Sequence, residues 1–206
     1  MKKILFAILA VILVSSSAFA DVLGLGFKGG GGRNSPNGFK EIVNTYGGSL
    51  SKNPLFFGLE MLYEKDLGGQ YDREVGTPVK LGFKIGADLF GENKIKHSPS
   101  WLDSKESTVI IPLSAYLKYD AGASNLSFYM GGGMSYISTL FTYGTADDRD
   151  WKFAPHALAG VELRTSSAFA IGLDFQYNFN ARIKKDGMIY SNRTGLRGAL
   201  SLRFYM

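Results

Sequence analysis

Residues 169–180 read FAIGLDFQYNFN, and their alternation decides the fold class of the whole chain. Every second position is large and apolar: Phe169, Ile171, Leu173, Phe175, Tyr177 and Phe179. The positions between them are small or polar: Ala170, Gly172, Asp174, Gln176, Asn178 and Asn180. Because successive side chains of a strand point to opposite faces, the stretch is a β-strand with one apolar face and one polar, narrow face. A helix would scatter both sets around its axis.

The same alternation recurs along the chain and predicts an all-β protein. The strand-like segments lie at 21–28, 54–66, 79–90, 108–119, 126–140, 153–164, 169–180 and 195–205. Pro112, in the fourth segment, cannot donate a ladder hydrogen bond, so we expect a bulge or a locally unpaired site there.

Composition excludes several classes of protein. The chain has 206 residues, 26 of them Gly and none of them Cys, which suits one domain without disulfides, thiolate zinc sites or a cysteine nucleophile. The formal net charge of +5 falls to +3 without Lys2 and Lys3. That charge is too mild for a nucleic-acid partner, and no basic patch with interleaved aromatic residues occurs.

The N-terminus, MKKILFAILAVILVSSSAFA, has the features of an export signal. Lys2 and Lys3 form a positive region, residues 4–14 form an apolar region, and Ala18-Phe19-Ala20 is the small-x-small pattern that a signal peptidase needs. The apolar run is too short to span a membrane comfortably. We therefore predict a signal peptide at 1–20 and a mature domain at 21–206.

Alternation alone leaves open which face of the strands points outward, since soluble and membrane barrels both have one apolar face. The polar face is rich in glycine, which gains nothing on a solvent-exposed face but fits a narrow lumen. These glycines are Gly24, Gly26, Gly58, Gly82, Gly86, Gly131, Gly133, Gly160 and Gly172. The apolar face is therefore predicted to point toward lipid.

Connections and aromatic residues favour the same orientation. Long polar connections at 29–53, 91–107, 141–152 and 181–194 alternate with connections at 67–78, 120–125 and 165–168, of which the last two are short. Long outer loops and short periplasmic turns are typical of outer-membrane barrels. Aromatic residues stand at both ends of several apolar faces, as in the two interfacial girdles of such barrels; the pairs are Phe57 and Tyr63, Phe128 and Tyr136, and Phe169 and Phe179.

Three further stretches carry a family resemblance. RGALSLRF, residues 197–204, resembles the C-terminal signal read by the outer-membrane barrel assembly machinery, although Ala199 replaces the preferred Gly and Tyr205-Met206 follow the final aromatic residue. With IIPLSAYLKY and FYMGGGMSYI, residues 110–119 and 128–137, the layout of 21–206 resembles the porin-like family of small OmpX/OmpA-type barrels. The resemblance implies an eight-stranded antiparallel up-and-down transmembrane β-barrel in the bacterial outer membrane, with no assigned catalytic residues.

Charged residues on the inward face are the candidate site, because an unpaired buried charge is costly and near-equal signs predict a paired network. They are Glu60, Glu64, Lys80, Lys84, Asp88, Lys118, Glu162, Arg164, Asp174, Arg197 and Arg203. These charges could form an ion path or a polar plug, and both interpretations are open. The plug is favoured because eight strands enclose a lumen that side chains fill. Tyr116, Tyr129 and Leu158 on the same face add bulk.

Two specific contacts follow. One antiparallel register would place Glu60 opposite Lys84 and Glu64 opposite Lys80, with the turn centred near Asp72. Asp174 should also meet Arg203 of the closing strand.

Catalytic candidates are few. His97 and His156 have no recognisable nucleophile spacing, although Asp147, Asp148 and Asp150 would orient His156 if they approached it. We expect no enzyme, no cofactor and no metal site. The leading hypothesis is a barrel acting through its outer loops in surface interaction or envelope integrity. The alternatives are a narrow low-conductance pore and, third, a lipid A-modifying surface enzyme.

The expected partners are outer-membrane lipid and the assembly machinery. Basic residues of the long connections have two open readings: a solvated surface, which the acidic residues mixed among them favour, or contact with lipopolysaccharide phosphates. These residues are Arg33, Lys40, Lys52, Lys94, Lys96, Lys105, Arg149, Lys152, Lys184, Lys185 and Arg193.

Overall fold

The computed structural model describes residues 22–32, 49–51, 55–67, 79–96, 104–121, 125–143, 146–185 and 188–206. The predicted signal peptide, His97 and the predicted turn at Asp72 lie outside these residues. Within them, no helix is long and apolar enough to cross a membrane. The strands are β1 Val22–Gly32, β2 Ser49–Ser51, β3 Leu55–Asp66, β4 Val79–Phe90, β5 Asn93–Lys96, β6 Ser104–Asp120, β7 Leu126–Tyr143, β8 Ala146–Arg164, β9 Phe169–Asn178, β10 Arg182–Lys185, β11 Met188–Asn192 and β12 Gly195–Tyr205.

Eight of these strands form a closed antiparallel barrel. Going round the barrel, the order is β1, β3, β4, β6, β7, β8, β9 and β12, and β12 pairs back with β1. Each barrel strand therefore lies beside its neighbour in the sequence, which is the up-and-down arrangement. The predicted fold class is confirmed.

The two faces of the strands separate as the alternation predicts. In β9, Leu173, Phe175 and Tyr177 point outward and are 40–44% exposed, while Asp174 and Gln176 point inward and are 6% exposed. Phe57 of β3 is the most exposed large apolar side chain of the barrel wall, at 73%. The barrel therefore presents an apolar outer surface around a polar interior.

The predicted register between β3 and β4 is wrong by two residues. Glu60 lies opposite Gly86, and Glu64 lies opposite Gly82. Facing each glutamate with a glycine leaves room for groups from other strands; at Gly82, for example, a Cβ would collide with the ring of Tyr116. A direct glutamate–lysine pair would fill that space.

Pro112 interrupts the ladder between β4 and β6, as predicted. Ile85 pairs with Leu113 and the next paired residues are Asp88 and Ile110, so Pro112 has no partner in β4. It remains paired with Ser135 of β7 on its other side. The missing donor is thus confined to one flank of β6.

The predicted loop at 141–152 is wrong, because β7 continues to Tyr143 and β8 begins at Ala146. The polar residues of this segment keep the antiparallel pairing, for instance Arg149 with Leu140. Together with β6, these strands extend well beyond the others. We call the end of the barrel toward which they rise the loop end, and the opposite end the turn end.

Three other long connections also hold strands that the sequence reading missed. β1 continues through the glycine run to Gly32, and β2 pairs with β5, which in turn pairs with β6. β10 and β11 form a separate hairpin between β9 and β12. The four added strands, β2, β5, β10 and β11, are only three to five residues long, which is too short for a periodic signal.

Two glycines provide a test of the narrow interior. Gly133 faces inward, and a Cβ there would fall on the backbone carbonyl oxygen of Leu113. A Cβ at outward-facing Gly198 would make ordinary contacts, at 3.7 Å to the ring of Phe175 and 3.9 Å to the carbonyl oxygen of Asp174. We expect Gly133→Ala to lower the free energy of unfolding by about 1–3 kcal/mol because of overpacking. Gly198→Ala should change it by less than about 0.5 kcal/mol. Urea unfolding in detergent micelles, followed by heat-modifiable gel mobility, measures both. Equal stabilities for the two variants would contradict the packed interior.

The lumen as candidate functional site

The part of the lumen nearest the turn end is built around Lys118. Its ammonium donates to Glu64 Oε1 at 3.0 Å and to Glu162 Oε1 at 2.5 Å. The hydroxyls of Tyr116 and Tyr205 donate to the same two carboxylates, at 3.0 Å to Glu64 and 2.5 Å to Glu162. Two carboxylates thus share one lysine and are each completed by a phenol.

Arg203 occupies the next layer and is 1% exposed. Its guanidinium contacts three carboxylates: Glu60 at 2.7 Å, Glu162 at 2.8 Å and Asp174 at 2.7 Å. The predicted contact between Asp174 and Arg203 is therefore present. Tyr129 adds a hydroxyl that donates to Asp174 at 2.6 Å.

Three more cations continue the network toward the loop end. Lys84 lies 2.7 Å from Asp174 and 3.6 Å from Glu60. Lys28 and Arg197 both contact Asp88, at 2.7 and 2.6 Å. The pairing of Lys84 with Glu60 therefore occurs diagonally rather than directly across the hairpin.

Two residues of the predicted set lie at the edge of the network. Lys80 contacts Asp120 at 2.9 Å and Asp66 at 3.9 Å, so the predicted Lys80–Glu64 pair is wrong. Arg164 has a side chain that is 27% exposed and approaches Glu162 only to 4.0 Å. The structure brings the other nine predicted residues together and leaves these two near the turn end.

His156 lies above the charged layers and is buried between two serines. Ser114 Oγ is 2.8 Å from its Nε2, and Ser135 Oγ is 2.9 Å from its Nδ1. Gln176 donates to Ser135 at 3.0 Å and accepts from Arg197 at 2.6 Å, which joins this layer to the network below.

The proposed orientation of His156 by Asp147, Asp148 and Asp150 is wrong. Those residues lie on the extended part of β8, and Asp150 pairs in the ladder with Thr139 rather than approaching the imidazole. The described part of the chain contains no group of three His, Cys, Asp or Glu residues that could hold a metal ion.

An apolar layer and a hairpin cover the lumen at the loop end. Ile110, Ile137 and Ala154, on the inner faces of β6, β7 and β8, pack against Ala181 and Ile183 from the segment that enters β10. Above this cluster, Glu106 accepts hydrogen bonds from Ser191 at 2.6 Å, Arg193 at 3.2 Å and Asn93 at 2.7 Å. One carboxylate thus holds two separate connections over the mouth.

Arg193 was expected on the outer surface, and that expectation is wrong. Its side chain is 2% exposed, paired with Glu106 and stacked over Phe90 at 4.8 Å. Burial lowers the pKa of this guanidinium, and the Glu106 carboxylate that accepts its hydrogen bond offsets the effect in part. Arg193 therefore closes the mouth and is not available to lipopolysaccharide.

The interior is tightly packed at the level of Lys28, Asp88 and Arg197. A cavity beside Lys28, Asp88 and Arg197 measures about 10 Å³, which is close to the minimum for a single water. The aromatic rings of Phe56 and Phe90 fill the level above it, 5.0 Å apart. Chemically, the site is a buried network of ion pairs and hydrogen bonds.

Sequence reasoning missed several members of the interior. Lys28 and Tyr205 lie on the inward face that alternation assigns to β1 and β12, but the predicted network does not include them. Glu106 continues the inward parity of β6 into the predicted connection at 91–107. Ser191 and Arg193 carry no periodic signal, because the connection that folds over the mouth is not a barrel strand.

Arg203 and Arg164 allow a matched test of the network. Arg203→Met leaves three carboxylates without a shared cation, so we expect the free energy of unfolding to fall by about 3–5 kcal/mol. Arg164→Met removes a partly exposed arginine at the edge of the same network. It should lower the free energy of unfolding by less than about 1 kcal/mol. Urea titrations of both variants in the same micelles give the comparison. A loss of similar size in both would argue against a central role for Arg203.

Comparison with known proteins agrees with this architecture. The family model for the outer membrane protein beta-barrel domain matches residues 6–204. No curated protein sequence matches the chain.

Among solved structures, the chain is similar to Ail, the attachment invasion locus protein of Yersinia pestis, with 13% identity and a TM-score of 0.52 over 90% of this chain and 97% of Ail. It is also similar to the N-terminal barrel domain of Pseudomonas aeruginosa OprF, with 11% identity, a TM-score of 0.51 and coverage of 91% and 98%. For OprG of the same organism the values are 12%, 0.50, 91% and 96%. The chain therefore belongs to the outer membrane protein beta-barrel domain family and is an integral barrel of the bacterial outer membrane.

Proposed function

We propose that this protein is a non-enzymatic surface barrel with a plugged lumen, which acts in surface interaction or envelope integrity through the sheet that rises at its loop end. One observation carries the proposal: β6, β7 and β8 have 17, 18 and 19 residues, whereas the other barrel strands have 10–12. A tilted strand needs only about 9–11 residues to cross the apolar layer.

The rings of Tyr136, Trp151 and Phe153 support an assignment of the extra length to the outside. They form one cluster on the outer face of β7 and β8, with centroid distances of 5.4–6.0 Å. Aromatic clusters of this kind mark the level where the apolar band meets water. Beyond them the outward face carries polar and charged side chains at Thr142, Asp147 and Arg149.

The parts of β6, β7 and β8 that extend beyond the aromatic cluster are called the rising wall. Two further strands widen this wall. β5 pairs with the upper part of β6, and β2 pairs with β5, so five strands form one sheet above the aromatic cluster. A paired sheet holds its side chains in a defined arrangement at low entropic cost, which suits recognition of a partner better than unpaired loops do. This sheet is the surface through which we propose that the protein acts.

A closed lumen fits the ion pairing of its charges. Lys28, Lys84, Lys118, Arg197 and Arg203 face the same number of carboxylates, namely Glu60, Glu64, Asp88, Glu162 and Asp174. Full pairing supplies no spare charge to attract an ion, and the apolar cluster at the loop end blocks the path further. The serines on either side of His156 are buried, which argues against catalysis on an outside substrate.

Planar bilayers test the plug directly. We expect the purified protein to give no single-channel current steps, because the lumen is packed and its mouth is covered. The truncated N-terminal barrel of a conducting outer-membrane protein serves as the positive control for insertion. Reproducible ion steps from the native protein would favour the low-conductance pore instead.

Lipopolysaccharide phosphates are a further proposed partner of the rising wall. Lys105 and Arg149 point outward and are exposed, and they flank β7 at Thr142 and Leu140 in the residues just beyond the aromatic cluster. Headgroup phosphates would lie at this height, and both cation types bind phosphate. The assembly machinery remains the proposed partner during biogenesis, on the basis of the C-terminal strand.

Shortening the rising hairpin tests the proposed function. Thr139 and Asp150 lie directly opposite each other, so replacing residues 140–149 with Asn-Gly should give a two-residue hairpin turn. We expect this variant to keep heat-modifiable mobility and surface amount but to lose the attachment of displaying cells to epithelial monolayers. Full attachment by the shortened variant would contradict the proposed role of this sheet in surface interaction. No attachment by the native protein would contradict surface interaction and leave envelope integrity as the proposed role.

A charge variant tests the proposed binding of lipopolysaccharide separately from the attachment of cells. Lys105→Gln with Arg149→Gln keeps the hairpin but removes the phosphate contacts, so lipopolysaccharide retained by the purified barrel should fall. Asp147→Asn, on the same wall, is the control and should leave retention unchanged.

A further inference from the structure

The outer wall of the barrel contains an apolar groove that the proposed function does not use. It crosses β12, β1, β3 and β4, and its volume is about 550 Å³, within the range of about 300–1,000 Å³ typical of small-molecule sites. Its walls are the side chains of Phe27, Phe57, Leu59, Leu89, Leu200 and Leu202. These side chains are 41–73% exposed on the face that meets lipid.

Gly29 creates the gap in this wall. It lies opposite Phe57 on one side and Leu200 on the other, so two large side chains flank a position that has none. A Cβ at Gly29 would be 3.5 Å from the nearest atom of the Phe57 ring, which is ordinary contact. The glycine is therefore not required by crowding at this position, in contrast to the inward-facing Gly133.

The size and setting of the groove identify its occupant. Ten residues line it, whereas a stable protein–protein interface uses about 20–30 residues on each side. The groove is thus too small to dock a second copy of the chain by itself. Its position in the apolar band excludes water and polar ligands, since neither could satisfy its hydrogen bonds there.

We propose that this groove, Gly29 at its floor, is a binding site for one acyl chain of a bilayer lipid. A lipid seated between the flanking phenylalanine and leucine side chains makes contacts on several sides, whereas a lipid on the smooth wall makes them on one. The seated lipid exchanges more slowly than the surrounding bilayer and stays with the barrel on mild extraction.

Two outward glycines give a matched test. Gly29→Leu fills the groove, while Gly198→Leu adds the same side chain to the same face outside it, where a Cβ would lie 3.7 Å from Phe175. The barrels are extracted from outer membranes in mild detergent, and retained lipid is counted by native mass spectrometry. The native protein and Gly198→Leu should each carry one lipid, and Gly29→Leu should lose it.

Reconstitution provides a second measurement. In dimyristoylphosphatidylcholine vesicles containing acyl-chain spin-labelled phosphatidylcholine, Gly29→Leu should immobilise one lipid fewer per barrel than the other two proteins. Equal retention and equal immobilisation in all three proteins would overturn the proposal. So would a native dimer that becomes a monomer in Gly29→Leu, because a second copy would then be the occupant.

Discussion

The guanidinium of Arg203 is the contact on which the interior depends. It joins carboxylates from β3, β8 and β9 at 2.7–2.8 Å while itself belonging to β12, the strand that closes the barrel against β1. A charge as deeply buried as that of Arg203 is tolerated only when it is fully paired. The four strands must therefore meet in one arrangement. The closing strand is thus fixed by side chains across the lumen as well as by its own ladder.

The rest of the lumen follows from its width. Eight strands enclose a space that side chains fill, and large residues are accommodated where a glycine stands beside them. The ring of Tyr116 occupies the space in front of Gly82, and the ring of Tyr129 that in front of Gly160. Beside Lys28, Asp88 and Arg197, the same interior holds a cavity of about 10 Å³, which is close to the minimum for one water.

The unequal lengths of the barrel strands distinguish the loop end from the rest of the barrel. Three barrel strands, β6, β7 and β8, have 17–19 residues, whereas the other five have 10–12. The connection from β9 to β12 packs against the inner face of the long strands at Ile110 and Ile137. The inner side of these long strands therefore packs against that connection. Their outer side carries exposed charged residues such as Lys105 and Arg149.

The sequence by itself determined the fold class, the face of each strand and the membrane setting, because alternation with a period of two needs no distant information. Tertiary structure alone decided the register and the pairing of charges. A shift of two residues keeps every side chain on its face, so alternation in β3 and β4 could not distinguish Glu60 opposite Lys84 from Glu60 opposite Gly86. The choice rests on contacts such as Lys84 with Asp174, 90 residues apart, whose geometry exists only once the barrel has closed.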